Sequence, residues 1–192
     1  MVKTENFLQV QITSQGELRV WLKKNHQQQQ SVWLVTFKKH VAHYYVSTNE
    51  VLDELLCFGW IDGLRRKLDE DRVMQMISPR KVEHWSKTYK DRYSKLEKMG
   101  VVDAAGKRAV ARSKELGLWN FMDDVDALIK PADFIAELQT YPNATTNFNA
   151  FGAASQRFIL RWIKLAKTQQ TRFKRIQQAS ALAEKNLKIP GV

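Results

Sequence analysis

The run Glu54-Leu55-Leu56-Cys57-Phe58-Gly59-Trp60-Ile61-Asp62-Gly63-Leu64-Arg65-Arg66 carries an apolar helix end through two glycines into an aromatic residue, an acid and paired arginines. Glycine reaches backbone angles closed to other residues and ends helices at little cost, so a chain with this run changes structure here. Upstream, Ser47-Thr48-Asn49-Glu50 matches a capping box and opens a helix whose apolar positions Val51, Leu52, Leu55 and Leu56 recur at helical spacing. Downstream, residues 64 to 80 read as extended, with a hairpin about Asp69-Glu70-Asp71 and Pro79 closing it.

The rest of the chain sorts around that corner. Ser14-Gln15-Gly16-Glu17 is another capping-box match, predicting a helix to about His26, and Gln27 to Gln30 form a polar break. The near-continuous apolar run from Ser31 to Lys38 suits a buried strand. After Trp85 the pattern is helical throughout: Ser86 caps a stretch to about Met99, Asp103 caps one to Leu116, and further helices fit 132–140, 145–150, 155–167 and 171–187. Gly100, Gly117, Pro131, Pro142 and Gly152 mark the breaks. The expected architecture is α+β: a small N-terminal α/β lobe with a short sheet, residues 1–85, followed by a helical lobe, residues 86–192, packed together as one compact unit.

With 192 residues, 44% of them hydrophobic and 27% charged, the chain is long enough for one substantial core or two small lobes and too apolar to be disordered. A single cysteine, Cys57, cannot form an internal disulfide, and residues 1–6 lack a charged-then-apolar leader, which points to the cytoplasm. The longest apolar runs fall well short of the roughly 20 residues needed to span a bilayer, so no membrane span is expected. The net charge of +11 is uneven: residues 1–60 hold 6 basic and 5 acidic groups, 61–112 hold 14 and 8, 113–154 hold 2 and 6, and 155–192 hold 9 and 1. If Asp123-Asp124-Val125-Asp126 folds against a basic segment, part of the excess is neutralised internally; otherwise the surface attracts anions.

The segments Cys57-Phe58-Gly59-Trp60-Ile61-Asp62-Gly63 with Arg65-Arg66, Ser78-Pro79-Arg80, Trp85-Ser86-Lys87, Ala105-Gly106, and Arg161-Trp162-Ile163 with Ala166-Lys167 and Thr171-Arg172 together resemble the YdeI/OmpD-associated family of bacterial proteins. The resemblance runs from about Trp21 to Ile176. It implies an α+β N-terminal part, a helical C-terminal part, and a link to bacteriocin or cationic-peptide stress protection that carries no biochemical mechanism. Two positions depart from the family pattern: Tyr89 stands where an asparagine is usual, and His84 where a small polar residue is. A phenol does not reproduce a carboxamide that both donates and accepts.

Several residues invite a chemical reading. Trp60, Asp62, Arg65 and Arg66 fit a pocket for a small anionic ligand or a protein partner, the arginines binding a carboxylate or phosphate and the indole forming a wall. Arg80, Trp85 and Lys87 would close it from the next segment. The alternative is that Asp62 caps a turn, Trp60 packs in the core and the arginines face solvent. Cys57, in an apolar helix, reads as a core residue rather than a nucleophile. His40 and His43 lack the partners of a metal site, and neither a phosphate-binding glycine loop nor a nucleophile elbow occurs, so no cofactor is expected and the pattern weighs against catalysis. Arg157, Arg161, Lys164, Lys167, Arg172, Lys174 and Arg175 form a basic face on amphipathic helices, which offers weak nucleic-acid binding as the alternative to an ordinary solvated surface. A small-molecule enzyme with an unrecognised site is the third reading.

Overall fold

The computed structural model describes residues 7–81 and 84–189, so the leader test on residues 1–6 lies outside the described residues. It divides into two compact units, one ending at Asn120 and the other beginning at Phe121.

The first unit contains β1 (Gln9–Gln11), α1 (Gln15–Asn25), β2 (Val32–Phe37), a 3-10 turn (Ala42–Tyr44), α2 (Thr48–Cys57), β3 (Trp60–Lys67), β4 (Arg72–Pro79), α3 (Lys87–Lys98) and α4 (Ala104–Glu115). The strands lie in the order β1-β2-β4-β3. β1 runs parallel to β2, with α1 as the crossover, and the other pairs are antiparallel. Ser14 caps α1 by accepting from the Glu17 amide, but the Glu17 carboxylate reaches the Thr13 amide, one residue further back than a capping box requires. At α2 both arms of the box are present: the Ser47 hydroxyl accepts from the Glu50 amide at 3.2 Å and Glu50 accepts from the Ser47 amide at 2.8 Å.

The β3–β4 hairpin turns where the sequence predicted, because cations surround the acidic turn. Lys38 donates to the Asp69 and Glu70 carbonyls, Lys67 pairs with Glu70, and Arg72 pairs with Asp69 at 2.6 Å. One expectation changes. Only Gly59, at φ +70°, ends the helix; β3 already begins at Trp60, and Gly63 lies inside it at a register shift between Asp62 and Arg65.

Alternation in the strands sends Val32, Leu34 and Ile77 into a core shared with Leu18 and Leu22 of α1 and Leu55 and Leu56 of α2. Tyr93 and Leu96 of α3 and Val110 of α4 join that core, so the unit extends past residue 85, the boundary expected from sequence, to Asn120. Trp33 and Val35, buried as well, belong to the opposite face of the sheet with Met74 and Met76.

The second unit is helical: α5 (Asp123–Asp126), α6 (Ala132–Gln139), α7 (Ala144–Ala150), α8 (Ala153–Lys164) and α9 (Gln169–Glu184). α9 packs against α6, α7 and α8, burying Ile176, Ala179 and Ala183 beside Phe134, Phe148 and Ile163. Asn143 and Asn147 of the α7 end tie it to α9, bonding the Glu184 carboxylate and the Ala183 carbonyl.

Candidate functional site

β3, β4 and α3 bring three of the sequence candidates, Asp62, Arg80 and Trp85, together around Tyr89 and separate the rest. Asp62 sits on the core-facing side of β3, where its carboxylate accepts from the Tyr89 hydroxyl at 2.6 Å and from Gln75 Nε2 at 3.2 Å. Tyr89 therefore fills a polar role at the position where the family pattern has asparagine: a single donor is enough, because Gln75 supplies the second. Arg80, at the end of β4, lays its guanidinium 3.8 Å from the centre of the Trp85 ring and 5.6 Å from that of Tyr89, and donates to the His84 carbonyl at 3.0 Å. Its charge is held in place by packing rather than on a loose stem.

Trp60 is no pocket wall. It is 1% exposed, stands edge-on to Trp21 at 5.6 Å, and donates its indole N–H to the His26 carbonyl at 3.1 Å. Trp85 is likewise buried, stacked among Tyr93 and Trp119, although its ring supports Arg80. The two arginines do not form a fork, because neighbouring residues of a strand point to opposite faces. Arg65 pairs in register with Gln75 and donates to the Thr48 hydroxyl at 2.8 Å, whereas Arg66 crosses to the other face and lies over Trp33. Lys87 is exposed and pairs with Asp91 at 2.6 Å.

A cleft of about 610 Å³ between α1, α2 and α3 was not anticipated. On one side Glu54, 2% exposed, accepts from Arg19 at 3.0 Å and from Gln15 at 2.8 Å, and Arg19 also donates to the Val101 carbonyl. On the other, Arg92 binds Asp53 at 2.6 Å and Asn49 at 2.8 Å. Lys95 projects into the same cleft and forms no ion pair among the described residues. The sequence did carry one signal: Glu54 is a carboxylate within the apolar stripe of α2, and such a residue is buried only with partners.

Burial, with the Glu54 carboxylate as the next contributor, pushes the Cys57 thiol up to about 11. The raised value means that stability from burying the neutral thiol is present below its ordinary value of 9.0 and is lost as pH rises toward about 11. At about pH 8 the native chain is therefore expected to resist Ellman's reagent, and to release its single thiol only in denaturant. Rapid labelling of the native chain would contradict this placement.

In the second unit, the basic face is partly consumed internally. Lys164 pairs with Asp124 at 2.5 Å, Arg172 grips Asp133 through two bonds of 2.7 and 2.9 Å, and Arg175 stacks on Trp162 and donates to its carbonyl. The bonds from Arg172 hold the Asp133 carboxyl below the usual range. Acidic groups thus do neutralise part of the basic segment. Arg157, Arg161, Lys167 and Lys174 stay exposed.

None of the described helices is long and apolar enough to cross a membrane. A four-stranded sheet unit with polar side chains gathered on its helix side, followed by an all-helical unit, is the class of α+β protein that these features define. Residues 10–109, just over half of the chain, match the model of a domain of unknown function (DUF8412), and the chain belongs to that family. Within its helical unit, residues 127–186 match the model described as bacteriocin-protection, YdeI or OmpD-associated. The motifs from Cys57 to Gly106 thus fall in the first match and those from Arg161 to Arg172 in the second. No curated protein and no solved structure matches the chain.

Proposed function

We propose that this is a non-enzymatic cytoplasmic binding module, linked to bacteriocin or cationic-peptide protection, that takes an anionic ligand or partner segment on the helix side of its sheet unit. The observation that carries the reading is the cleft: its three carboxylates, Asp53, Glu54 and Asp91, are each already joined to a cation, whereas Lys95 is not joined to an acid. Carboxylates committed in this way are poor general bases, which favours binding over turnover. Lys95 is the cleft cation that holds no carboxylate among the described residues, and an ammonium in a cleft of ligand size attracts an anionic group. Arg65, bonded to a neutral hydroxyl at the start of α2, adds a second cation on the same side of the sheet. The domain matched over residues 127–186 supports the link to bacteriocin protection.

The test is thermal stability with inorganic phosphate, ATP and an acidic peptide as probes, at low and high salt. Ligand binding to the native state raises its apparent stability. Lys95→Ala and Arg65→Ala are each expected to weaken the probe that binds by about fivefold, the size of a partly screened charge contact, while Arg66→Ala, on the opposite face, leaves it unchanged. Equal affinity in all three variants sinks the reading.

A further inference from the structure

The outer edge of β1 and the solvent stripe of α1 form a surface that neither the cleft nor the Asp62 network uses. Among the described strands β1 pairs only with β2. The Leu8 carbonyl accepts from Trp33 and the Ile12 amide donates to Val35, so the even-numbered residues turn their backbone groups toward β2. Alternation along a parallel strand then points the N–H and C=O of Gln9 and Gln11 outward, along an edge that no other described strand covers. Beside that edge runs a mainly apolar groove of about 470 Å³, lined by Val10, Ile12, Val20 and Trp21, with Glu17 and Lys24 at its ends. Leu8 and Val20 are 65% and 55% exposed. Gly16, in the first turn of α1, has only the Ser14 hydroxyl within 4 Å of where a Cβ would stand, so the packing of its own unit does not demand a glycine there.

The charge pattern of the stripe selects the occupant. Glu17, Val20, Trp21 and Lys24 follow the spacing i, i+3, i+4, i+7 and share one helix face. A two-fold axis passing between Val20 and Trp21 would set Glu17 of each copy against Lys24 of the other, and Val20 against Trp21. The stripe is complementary to itself in the antiparallel sense, as an isologous interface requires. Hydrogen bonds from the Thr13 amide and hydroxyl hold the Glu17 carboxyl below its usual range, so it keeps its charge.

We propose that this edge joins two copies of the chain, with β1 pairing antiparallel to β1 of the second copy and α1 packing antiparallel to its counterpart, so that one sheet continues through both. Open edges invite strand pairing, and a closed two-fold pair removes both edges at once.

Sedimentation velocity on the full chain over a concentration series tests this. The wild type is expected to form a dimer. Lys24→Glu should weaken it by about tenfold through like charges meeting twice, and Glu17→Lys with Lys24→Glu together should restore it. Because the Glu17 carboxylate also holds Thr13 ahead of α1, circular dichroism checks the fold of each variant, and Val20→Lys provides a break at an exposed position that makes no such bond. Amides of Gln9 and Gln11 should gain hydrogen-exchange protection as concentration rises. A wild type that stays monomeric up to about 100 μM, beyond the range of most specific dimers, overturns the proposal. So does a dimer that Val20→Lys and Lys24→Glu leave intact, since its contact lies elsewhere.

Discussion

Replacing Gly106 with alanine is expected to destabilise the sheet unit by about 3 kcal/mol, the upper end of what overpacking usually costs, and to lower its melting temperature by roughly 10 °C. A Cβ at that position would stand 2.4 Å from the Cys57 carbonyl oxygen and 2.7 Å from that of Leu56. Both are backbone atoms at the C-terminal end of α2, so no side-chain rotation relieves the clash. α4 must retreat from α2, breaking the bond between the Asp103 amide and the Cys57 carbonyl and loosening Val110 in the core. Gly152→Ala is the control, since nothing lies within 4 Å of its added carbon and its φ is −59°. Urea denaturation followed by tryptophan fluorescence reads the sheet unit selectively, because five of the six tryptophans lie before Phe121. A midpoint for Gly106→Ala equal to that of Gly152→Ala would show that α4 does not press on α2 as the structure has it.

That glycine is one of the motif residues on which the family resemblance rested, and its role depends on an approach between helices far apart in sequence. The same distinction runs through the molecule. Local chemistry was legible: the Ser47–Glu50 box, the apolar stripe of α2, the strand at 32–37 and the helices after residue 86 fall within a few residues of where capping and periodicity put them. β1 went unread although Leu8-Gln9-Val10-Gln11-Ile12 alternates apolar and polar residues, because so short a run just ahead of the Ser14 cap is ordered only by pairing with β2. Which core a helix joins was also illegible, since the apolar positions of α3 and α4 would suit either unit.

The site divided along the same line. Asp62, Arg80 and Tyr89 converge because the hairpin returns β4 beside β3 and α3 crosses its end, a relation that no spacing encodes. The Arg65-Arg66 pair was open to correction from sequence alone: once the segment is read as extended, adjacent side chains diverge. Trp60 was not, because the carbonyl that satisfies its indole belongs to His26, 34 residues away. The cleft gathers its polar residues from three helices and left only Glu54 as a trace, an acid among leucines.

That acid makes the second prediction. Arg19→Ala is expected to cost about 3 kcal/mol, far more than the fraction of a kcal/mol typical of an exposed pair, because it leaves a carboxylate buried with Gln15 as its remaining hydrogen-bond donor. The side chain of Glu54 is 3% exposed while that of Arg19 is 37% exposed, so water reaches one partner and not the other. The expected loss therefore sits at the low end for a broken buried pair. Arg19 also lies over the Phe58 ring and donates to the Val101 carbonyl, so part of the loss belongs to those contacts. Arg19→Met with Glu54→Leu separates the two contributions. Removing both charges together removes the unpaired carboxylate, and the double variant should return to within about 1 kcal/mol of wild type, since apolar replacements of buried pairs are often neutral. If Arg19→Ala alone costs under about 1 kcal/mol, Glu54 is solvated in a way its burial denies. If the double variant is no better than Arg19→Ala, the contacts of Arg19 with Phe58 at the end of α2 and with Val101 after α3, rather than the ion pair, hold α1 in place.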